Sequence, residues 1–308
     1  MIETKGLTKY YGSLAAVVDL NLRIAEGDIF GFIGPNGAGK TTTMRILATL
    51  LEPSSGTASI DGKDVARLGK QVRRVVGYMP DFMGVYDDLK VFEYLEFFAA
   101  AFGVARGRRK ATIDGVLELT DLEGKKAAQV DSLSRGMQQR LQLARVLIHD
   151  PKVLILDEPA SGLDPRARIE IRELLRELRR MGKTIMISSH ILSELEEMCD
   201  HVGIIEHGRL VFSGTLEEIR QRVGLHTKVR VRISGDLDKA VEMLSVLPEV
   251  QVVRKLEDRL SVTLREGGSD GGLIAKTLVQ ADIGLLELVP EQLKLDDAFL
   301  QLTKGIVH

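Results

Sequence analysis

The sequence predicts an α/β protein with a largely parallel sheet, followed by a smaller α+β domain. Three observations lead to this prediction. A glycine-rich segment, residues 34–41, lies between a short apolar stretch and a stretch whose apolar residues have helical spacing. Two later stretches, residues 153–158 and 183–190, are apolar and end in polar side chains, as strands do where a parallel sheet binds its ligand. Beyond residue 223, strand and helix patterns follow the order β-α-β-β-α-β.

Length and composition are those of an ordinary globular protein. The 308 residues are 44% hydrophobic and 28% charged, which suggests about two domains, and the formal net charge of −2 gives no general argument for attraction to nucleic acid or membranes. Cys199 is the single cysteine, which excludes an intrachain disulfide and fits a reducing compartment. Residues 1–5 do not begin a signal peptide, and the longest apolar run, residues 97–105, is far shorter than the ~20 residues that cross a bilayer. We therefore expect a cytosolic chain.

The glycine-rich segment matches G-x-x-x-x-G-K-[ST], the pattern of a loop that cradles phosphate groups. Residues 29–33 before it are typical of a buried strand, and the helix after it begins at Thr41. At such a position, backbone N–H groups and the positive end of the helix dipole face a polyphosphate, and glycines let the loop curl with its amides inward. Lys40 would reach the β- and γ-phosphates, and the Thr41 hydroxyl would bind Mg²⁺.

Ahead of this loop, apolar and polar residues alternate over residues 18–24, which predicts a half-buried antiparallel strand. Tyr11 and Gly12 end the segment before that strand. The Tyr11 ring either stacks on a nucleobase, an interaction worth roughly 1–3 kcal/mol per base in nucleic-acid complexes, or packs on the sheet as part of a turn. The local sequence favours neither interpretation.

Residues 75–80 are typical of another apolar strand, and Asp81 follows it. From about residue 85 to residue 129 the pattern is helical, so we expect an all-helical insertion, with its second helix at residues 111–119. The basic run at residues 106–110 is expected to be a solvated loop, with contact to acidic lipid headgroups as the alternative.

Polar residues stand at the ends of the later elements. Ser134 precedes a helix at residues 137–148 and either caps it or contributes to a second anion site. Asp157 is placed to hold Mg²⁺ and Glu158 to polarise an attacking water as general base, unless one of them caps the next segment. His190, at the end of a strand, is structural or donates to a γ-phosphate oxygen.

The remaining elements complete two predicted domains. A turn at residues 161–165 leads into a helix, residues 201–212 are typical of a hairpin, and residues 215–222 of a short closing helix. We place the first domain at residues 1–222, with a helical subdomain at about 85–150, and the second at residues 223–308. The order of elements in the second fits a ferredoxin-like fold. It carries no catalytic signature, so we expect a binding or dimerisation module, with stabilisation of the first domain as the alternative.

In this order and spacing, the motifs of residues 1–222 resemble those of the ATP-binding subunits of ABC transporters. The resemblance implies a P-loop NTPase core with an antiparallel β subdomain and a helical insertion. It also implies ATP and Mg²⁺ as cofactors, nucleotide sandwiched between two subunits in a homodimer or with a paired ATPase subunit, and a separate transmembrane permease. The segment at residues 295–300 looks like part of the extra domain of drug and antibiotic exporters.

The resemblance also implies a role for each motif. Residues expected to bind nucleotide are Tyr11, Asn36, Gly37, Ala38, Gly39, Lys40, Thr41, Thr42, Ser134, Gly136 and Asp164. Residues expected to hold Mg²⁺ are Thr41, Asp157 and Asp81, and those expected to act in catalysis are Glu158, His190, Lys40 and Asp81. By the same resemblance, Ser134 and Gly136 would bind the γ-phosphate held by the partner's loop, and Asp164 would lie in a turn that crosses the dimer.

The chain departs from the family pattern at two places. Its signature segment is Leu-Ser-Arg-Gly-Met in place of Leu-Ser-Gly-Gly-Gln, which changes positions 135 and 137 but keeps Ser134 and Gly136. Asp81 stands where the family usually has glutamine. Aspartate can bind Mg²⁺ but cannot donate an amide hydrogen bond. We hypothesise that Asp81 keeps the metal contact and loosens the link between ATP and the helical subdomain.

These observations together predict an ATPase subunit that dimerises around two Mg·ATP and drives a membrane permease, with export as the expected direction. It would be cytoplasmic and peripheral on the inner face of the cell membrane, with its coupling surface on residues 82–98. A nucleic-acid ATPase is disfavoured because the chain has no long coiled-coil insertion, second cassette or basic excess. Retention of Glu158 and His190 argues against a switch that only binds ATP, and the chain has no Asn-Lys-x-Asp guanine reader.

Overall fold

The computed structural model describes residues 1–81, 88–191, 195–196, 198–222, 228–265 and 271–291. Two compact units, Met1–Leu216 and Glu217–His308, make up the chain.

The first unit contains ten strands among the described residues. They are β1 (Ile2–Tyr11), β2 (Leu14–Ile24), β3 (Ile29–Ile33), β4 (Ser55–Ile60), β5 (Lys63–Asp64), β6 (Val76–Met79), β7 (Val153–Leu156), β8 (Thr184–Ser189), β9 (His201–Glu206) and β10 (Arg209–Thr215). The helices in the same part of the chain are α1 (Lys40–Leu47), α2 (Gly69–Val75), α3 (Val91–Ala101), α4 (Arg106–Leu119), α5 (Arg135–Leu147) and α6 (Pro165–Arg180), and α7 (Leu216–Arg222) follows β10.

A six-stranded sheet in the order β10-β9-β3-β8-β7-β6 forms the centre of this unit. The strands from β9 to β6 pair in parallel, and β10 pairs antiparallel to β9 at the edge. Every residue of β3, β7 and β8 is buried, as expected for parallel strands covered on both faces. Because these strands run in one direction, the segments that follow β3, β6, β7 and β8 meet at one edge of the sheet.

A second sheet, in the order β2-β1-β4-β5, is antiparallel throughout. The predicted strand at residues 18–24 lies in β2, where Leu20, Leu22 and Ile24 are buried and the residues between them are not fully buried. The antiparallel subdomain expected from the sequence is therefore confirmed.

The helical insertion is also confirmed, with α3, α4 and α5 packed against one another. The loop predicted at residues 106–110 is wrong, because these residues form the first turns of α4. Their predicted contact with solvent is confirmed, since all of them except the half-buried Arg109 are exposed. Arginine and lysine are good helix formers. In addition, Arg109 Nε donates to the carbonyl oxygen of Val104 at 2.9 Å, and Arg109 Nη1 donates to Glu96 at 3.1 Å, so the run is tied to α3 and its connection.

The described residues of the second unit form an antiparallel sheet in the order β12-β13-β11-β14. Its elements are β11 (Lys228–Ser234), α8 (Leu237–Ser245), β12 (Val250–Leu256), β13 (Arg259–Leu264), α9 (Gly272–Gln280) and β14 (Gly284–Glu291). Alternate residues of β11 and β13 join Ala240, Leu244, Ile274 and Leu278 of the helices in one apolar core. The segment at residues 295–300 and the first part of the predicted coupling surface, residues 82–87, lie outside the described residues. No helix of the described chain is both long and apolar enough to cross a membrane.

Candidate active site

The glycine-rich loop connects β3 to α1 and presses closely on its neighbours. A Cβ on Gly34 would lie 2.3 Å from the carbonyl oxygen of Ile205, and one on Gly39 would lie 2.5 Å from that of Ala16. Gly39 has a φ of 107°, a conformation that side chains disfavour. It is the N-cap residue of α1, and no described side chain caps the first turn of this helix. The helix start is therefore open to an anion, as the sequence predicts.

A cavity of about 290 Å³ lies over this loop. Its lining includes nine of the predicted site residues, namely Tyr11, Asn36, Gly37, Gly39, Lys40, Thr41, Thr42, Asp81 and Glu158. Leu14, Ala15 and Ala16 of β2 also line it, and sequence reasoning did not identify them because their contribution depends on how β2 packs over the loop. The buried Ala38 does not line the cavity.

Lys40 is held by oxygen atoms inside the loop. Its side chain is 6% exposed, and Nζ donates to the carbonyl oxygens of Gly34 at 2.6 Å and Pro35 at 3.3 Å. The same ammonium lies 3.6 Å from Oε1 of Glu158. A buried cation needs such partners, and phosphate oxygens are stronger partners than carbonyls because they carry charge.

Glu158 follows β7 with a left-handed backbone, φ 51°. Its Oε2 is 2.9 Å from Nδ1 of His190, the residue that follows β8, so the residues after β7 and β8 meet here. Its Oε1 accepts no hydrogen bond from the described residues, although Lys40 is near. The carboxylate therefore keeps one oxygen available to a water molecule or ligand in the cavity.

Asp157, immediately before it, is almost completely buried at 1% exposure. The Ser188 hydroxyl donates to Asp157 Oδ1 at 2.6 Å and accepts the backbone N–H of Glu158 at 2.9 Å. Oδ2 has no hydrogen-bond partner in the described chain. An ionised carboxylate oxygen is costly to bury without a partner, so this atom fits the coordination of a cation.

Ser188 is a site residue that sequence reasoning missed. Ser188 is completely buried in β8, but Thr184 and Ser189 of the same strand also carry buried hydroxyls, so no sequence signal singles out Ser188. Its bonds to the two acidic residues arise because β8 pairs with β7, a contact between distant parts of the chain.

Burial and the negative charge of Asp157 both raise the pKa of Tyr78, on the adjacent strand β6. Tyr78 is therefore neutral at physiological pH and adds no negative charge beside the acidic pair.

The predicted signature residues lie away from this cavity. Ser134 is the N-cap of α5 and accepts the N–H of Met137 at 3.4 Å. Asp164 caps α6 by accepting the N–H groups of Arg166 and Ala167, each at 3.0 Å. Neither they nor Gly136 line the cavity of their own chain.

Tyr11 ends β1 at the rim of the cavity and is 45% exposed. The Lys9 ammonium lies 5.5 Å from the centre of its ring and donates to the carbonyl oxygen of Glu52. The exposed ring is available for stacking, but its predicted role as the base-stacking residue stays a prediction.

Comparison with known proteins gives a consistent result. Residues 17–161 match the ABC transporter family. The bacitracin transport ATP-binding protein of Bacillus licheniformis is 37% identical over 306 residues, 99% of this chain and 98% of that protein. The Nod factor export ATP-binding protein of Cupriavidus metallidurans is 40% identical over 71% of this chain and 72% of that protein.

Among solved structures, a dimeric ATP-binding cassette in a post-hydrolysis state, bound to ADP and phosphate, has a TM-score of 0.64 at 25% identity. The match covers 70% of this chain and 99% of that one. That cassette has the fold of the first unit. Its bound ADP and phosphate are the products of ATP hydrolysis, a reaction to which the cavity, Lys40 and the two carboxylates are suited. With the nearly full-length match to the bacitracin transport protein, this places the chain in a single family: it belongs to the ATP-binding subunits of ABC transporters, which hydrolyse ATP.

Proposed function

We propose that two copies of this chain close around two Mg·ATP, that Glu158 is the general base of hydrolysis, and that the cycle drives export through a separate permease. The position of Glu158 carries the proposal. Its carboxylate lines the cavity above the loop, lies between Lys40 and His190, and keeps one oxygen without a hydrogen bond among the described residues.

In the proposed reaction, a water oxygen attacks the γ-phosphorus of ATP while the bond to the β–γ bridging oxygen breaks. Glu158 accepts a proton from the water, and ADP and phosphate leave. Phosphoryl transfer depends mainly on positioning and on neutralising charge. Lys40 supplies charge at the β- and γ-phosphates once it exchanges its carbonyl partners for phosphate oxygens.

His190 has two tasks that constrain its charge. If Nδ1–H donates to Glu158, a neutral imidazole presents a lone pair at Nε2 and would repel a phosphate oxygen. To donate to Glu158 and to the γ-phosphate at once, His190 must be an imidazolium. We therefore propose that it carries a positive charge in the ATP-bound state.

We propose that Asp157 and Thr41 hold Mg²⁺, because Asp157 Oδ2 is buried without a partner in the described chain, and Thr41 lines the cavity together with Glu158, the residue that follows Asp157. The ion would neutralise charge on the phosphates. Asp81 lines the cavity as well, which supports its proposed metal contact. Asp81→Asn should raise the Mg²⁺ concentration needed for half-maximal ATPase activity. An unchanged Mg²⁺ dependence would remove Asp81 from the metal site.

The test of the general base is Glu158→Gln, which keeps the shape of the side chain but cannot accept the proton. ATPase activity should fall by about 10²-fold or more, and the variant should accumulate as an ATP-bound dimer on gel filtration. Turnover within a few-fold of the parent would exclude Glu158 as base. A variant that stays monomeric at saturating Mg·ATP, with or without its permease, would exclude the sandwich dimer.

Two observations support the dimer. Ser134, Gly136 and Asp164 lie outside the cavity of their own chain, as residues that serve a second copy would. The similar cassette bound to ADP and phosphate is itself dimeric. Whether the second subunit is identical decides between a homodimer and a pair of related subunits, and mass spectrometry of the purified complex separates the two.

We propose that the permease binds beside α3, within the predicted coupling surface and the groove next to it. Phe97 and Phe102 are about half exposed, at 54% and 45%. Phe102 stacks on His149 with ring centres 4.3 Å apart, and both line a cavity of about 180 Å³. This binding would hold the subunit at the cytoplasmic face of the membrane.

The docking proposal predicts that Phe97→Ala/Phe102→Ala separates hydrolysis from membrane association. The isolated variant should keep its ATPase activity and fail to co-purify with membranes. Met181→Ala, which also removes an apolar side chain that is about half exposed, is the matched control and should co-purify. Normal membrane association of the double variant would contradict the proposed docking site.

We propose export as the direction because the curated relatives include Nod factor export proteins. Uptake or efflux of labelled compounds in inverted vesicles that contain the permease tests the direction.

For the second unit we propose a ferredoxin-like fold, which its β-α-β-β-α-β order and antiparallel sheet support, and a role in binding or dimerisation. Deletion of residues 223–308 should weaken assembly and leave nucleotide binding intact.

A further inference from the structure

We infer that Arg135 is a positioning residue that ties the segment carrying Ser134 to the loop after Glu158, so that movement at one is passed to the other. The inference rests on the proposed dimer, in which Ser134 serves the partner's nucleotide. Arg135 replaces the glycine of the usual signature pattern. Its side chain therefore makes a contact that a glycine at this position could not make.

The guanidinium group of Arg135 lies directly against Gly162. A Cβ on Gly162 would be 2.3 Å from Nη2, 2.4 Å from Cζ and 2.6 Å from Nη1, so the arginine occupies the space where a side chain at 162 would be. Nη2 also donates to the carbonyl oxygen of Ser161 at 3.3 Å. Gly162 has a φ of 66°, which favours glycine independently of this contact.

Two further contacts join the same pair of segments. The side-chain amide of Gln139, one turn along α5 and buried, donates to the carbonyl oxygen of Pro159 at 2.8 Å. Gly136 packs so closely on α6 that a Cβ there would lie 2.9 Å from the Cβ of Ala167. The start of α5 is thus held against residues 159–167 at three points.

A short path leads from these contacts to the proposed base. The N–H of Ser161 donates to the carbonyl oxygen of Glu158 at 3.1 Å, so Ser161, whose own carbonyl oxygen Arg135 binds, is one hydrogen bond away from the backbone of Glu158. Ser134 precedes Arg135 directly. The phosphate contact offered to the partner and the base of the chain's own site are therefore connected through Arg135.

In the dimer, this connection would make the two nucleotide sites depend on each other. ATP bound in the partner's cavity would draw in Ser134, and Arg135 would transmit that movement to Glu158. Loss of the connection should lower cooperativity between the sites and the rate of hydrolysis while leaving single-site nucleotide affinity unchanged, because Arg135 does not line the cavity.

The test compares Arg135→Ala, Arg135→Lys and the control Arg166→Ala in the full-length chain. Arg166 lies in the first turn of α6, carries the same charge, and has a 91% exposed side chain that pairs with Glu170. We expect Arg135→Ala to reduce kcat by about 5-fold or more and to bring the Hill coefficient for ATP towards one. The Kd for nucleotide, measured at protein concentrations where the chain is monomeric, should stay at the parent value. Arg135→Lys keeps a donor but loses the planar group, so it should recover only part of the rate.

Gly162→Ala provides a second variant that displaces Arg135 by a different route. Introduced into the parent, Gly162→Ala strains the backbone and also removes the contact with Arg135. Introduced into Arg135→Ala, it adds only the backbone strain, because the arginine contact is already absent. The double variant should therefore lose less activity than the product of the two single losses. Strictly multiplicative losses, or a Hill coefficient and kcat in Arg135→Ala equal to those of Arg166→Ala, would overturn the inference.

Dimer formation separates failure of this inference from failure of the proposed function. Glu158→Gln and Arg135→Ala/Glu158→Gln should both form the ATP-bound dimer on gel filtration. If neither dimerises, the proposed function is wrong and the inference falls with it. If both dimerise and Arg135→Ala keeps parental cooperativity, only the inference is wrong.

Discussion

The edge of the parallel sheet and the starts of α5 and α6 both carry predicted site residues, but in opposite physical conditions. At the sheet edge, Lys40, Asp157 and Glu158 are 6%, 1% and 12% exposed, and an oxygen of each carboxylate has no hydrogen bond from the described residues. At the helix starts, Ser134 and Asp164 are exposed, and each already caps its own helix. The first region is incomplete without a ligand, whereas the second is satisfied within the chain and gains a further role only through a partner.

The largest expected effect is that of Gly39→Ala, which should break the first region outright. The new Cβ would lie 2.5 Å from the carbonyl oxygen of Ala16 at a φ of 107°, so the loop would have to move. Nucleotide affinity measured by calorimetry should fall by about 10²-fold or more, and the free energy of unfolding by more than the 1–3 kcal/mol expected for backbone strain alone.

Gly182→Ala is the control for that strain, because Gly182 has a φ of 84° and its Cβ would meet nothing within 4 Å. It should lower the free energy of unfolding by about 1–3 kcal/mol and leave nucleotide binding unchanged. Equal effects of the two variants on binding would contradict the close packing of the loop.

Ser134→Ala should affect hydrolysis strongly without affecting nucleotide binding by the monomer. If Ser134 contributes a donor to the partner's γ-phosphate, kcat in the dimer should fall by about 10²-fold, and the lost helix cap should cost about 1 kcal/mol of stability. Asp236→Ala is the matched control, since Asp236 caps α8 in the second unit by accepting two N–H groups. Parental kcat in Ser134→Ala would leave helix capping as its whole role.

Ser188→Ala is expected to have a smaller effect, because the serine supports the two acidic residues and does not line the cavity. Its removal leaves Asp157 Oδ1 and the N–H of Glu158 without their present partner. The Mg²⁺ requirement should rise and kcat should fall, each by about 10-fold. Ser132→Ala, which removes an exposed hydroxyl bonded to Gln129, should leave both unchanged.

What could be predicted from the sequence depends on whether the signal is local or arises from contacts between distant parts of the chain. The loop, β7 and its two carboxylates were predictable because each signal lies within about ten residues and depends on periodicity and on helix-start chemistry. Ser188 was not, since its role arises only when β8 pairs with β7. The reach of Arg135 to Ser161 depends on a long side chain and on a packing of α5 against residues 159–167 that no local pattern encodes.

The basic run at residues 106–110 shows a different limit. Its charge favoured a loop in our interpretation, yet charge does not determine backbone conformation where the residues are good helix formers. Arg109 bonds to Val104, in the connection before α4, and to Glu96, in α3. The start of α4 therefore depends on contacts with α3, which the local sequence pattern does not show.

The smallest expected effect concerns pH and the groove beside α3. Burial lowers the pKa of His149 below its ordinary value of 6.5, and the opposing hydrogen bond to Val76 does not offset this. Since the unfolded chain binds this proton more readily, His149 should reduce the stability of the native state progressively as pH falls below 6.5, and should have no effect above it. Urea unfolding at about pH 7.5 and about pH 5.5 should show a smaller pH-dependent loss for His149→Gln than for the parent, by on the order of 1 kcal/mol. His207→Asn, which removes an exposed histidine, should keep the parental loss, and an equal reduction in both variants would show that burial of His149 is not the cause.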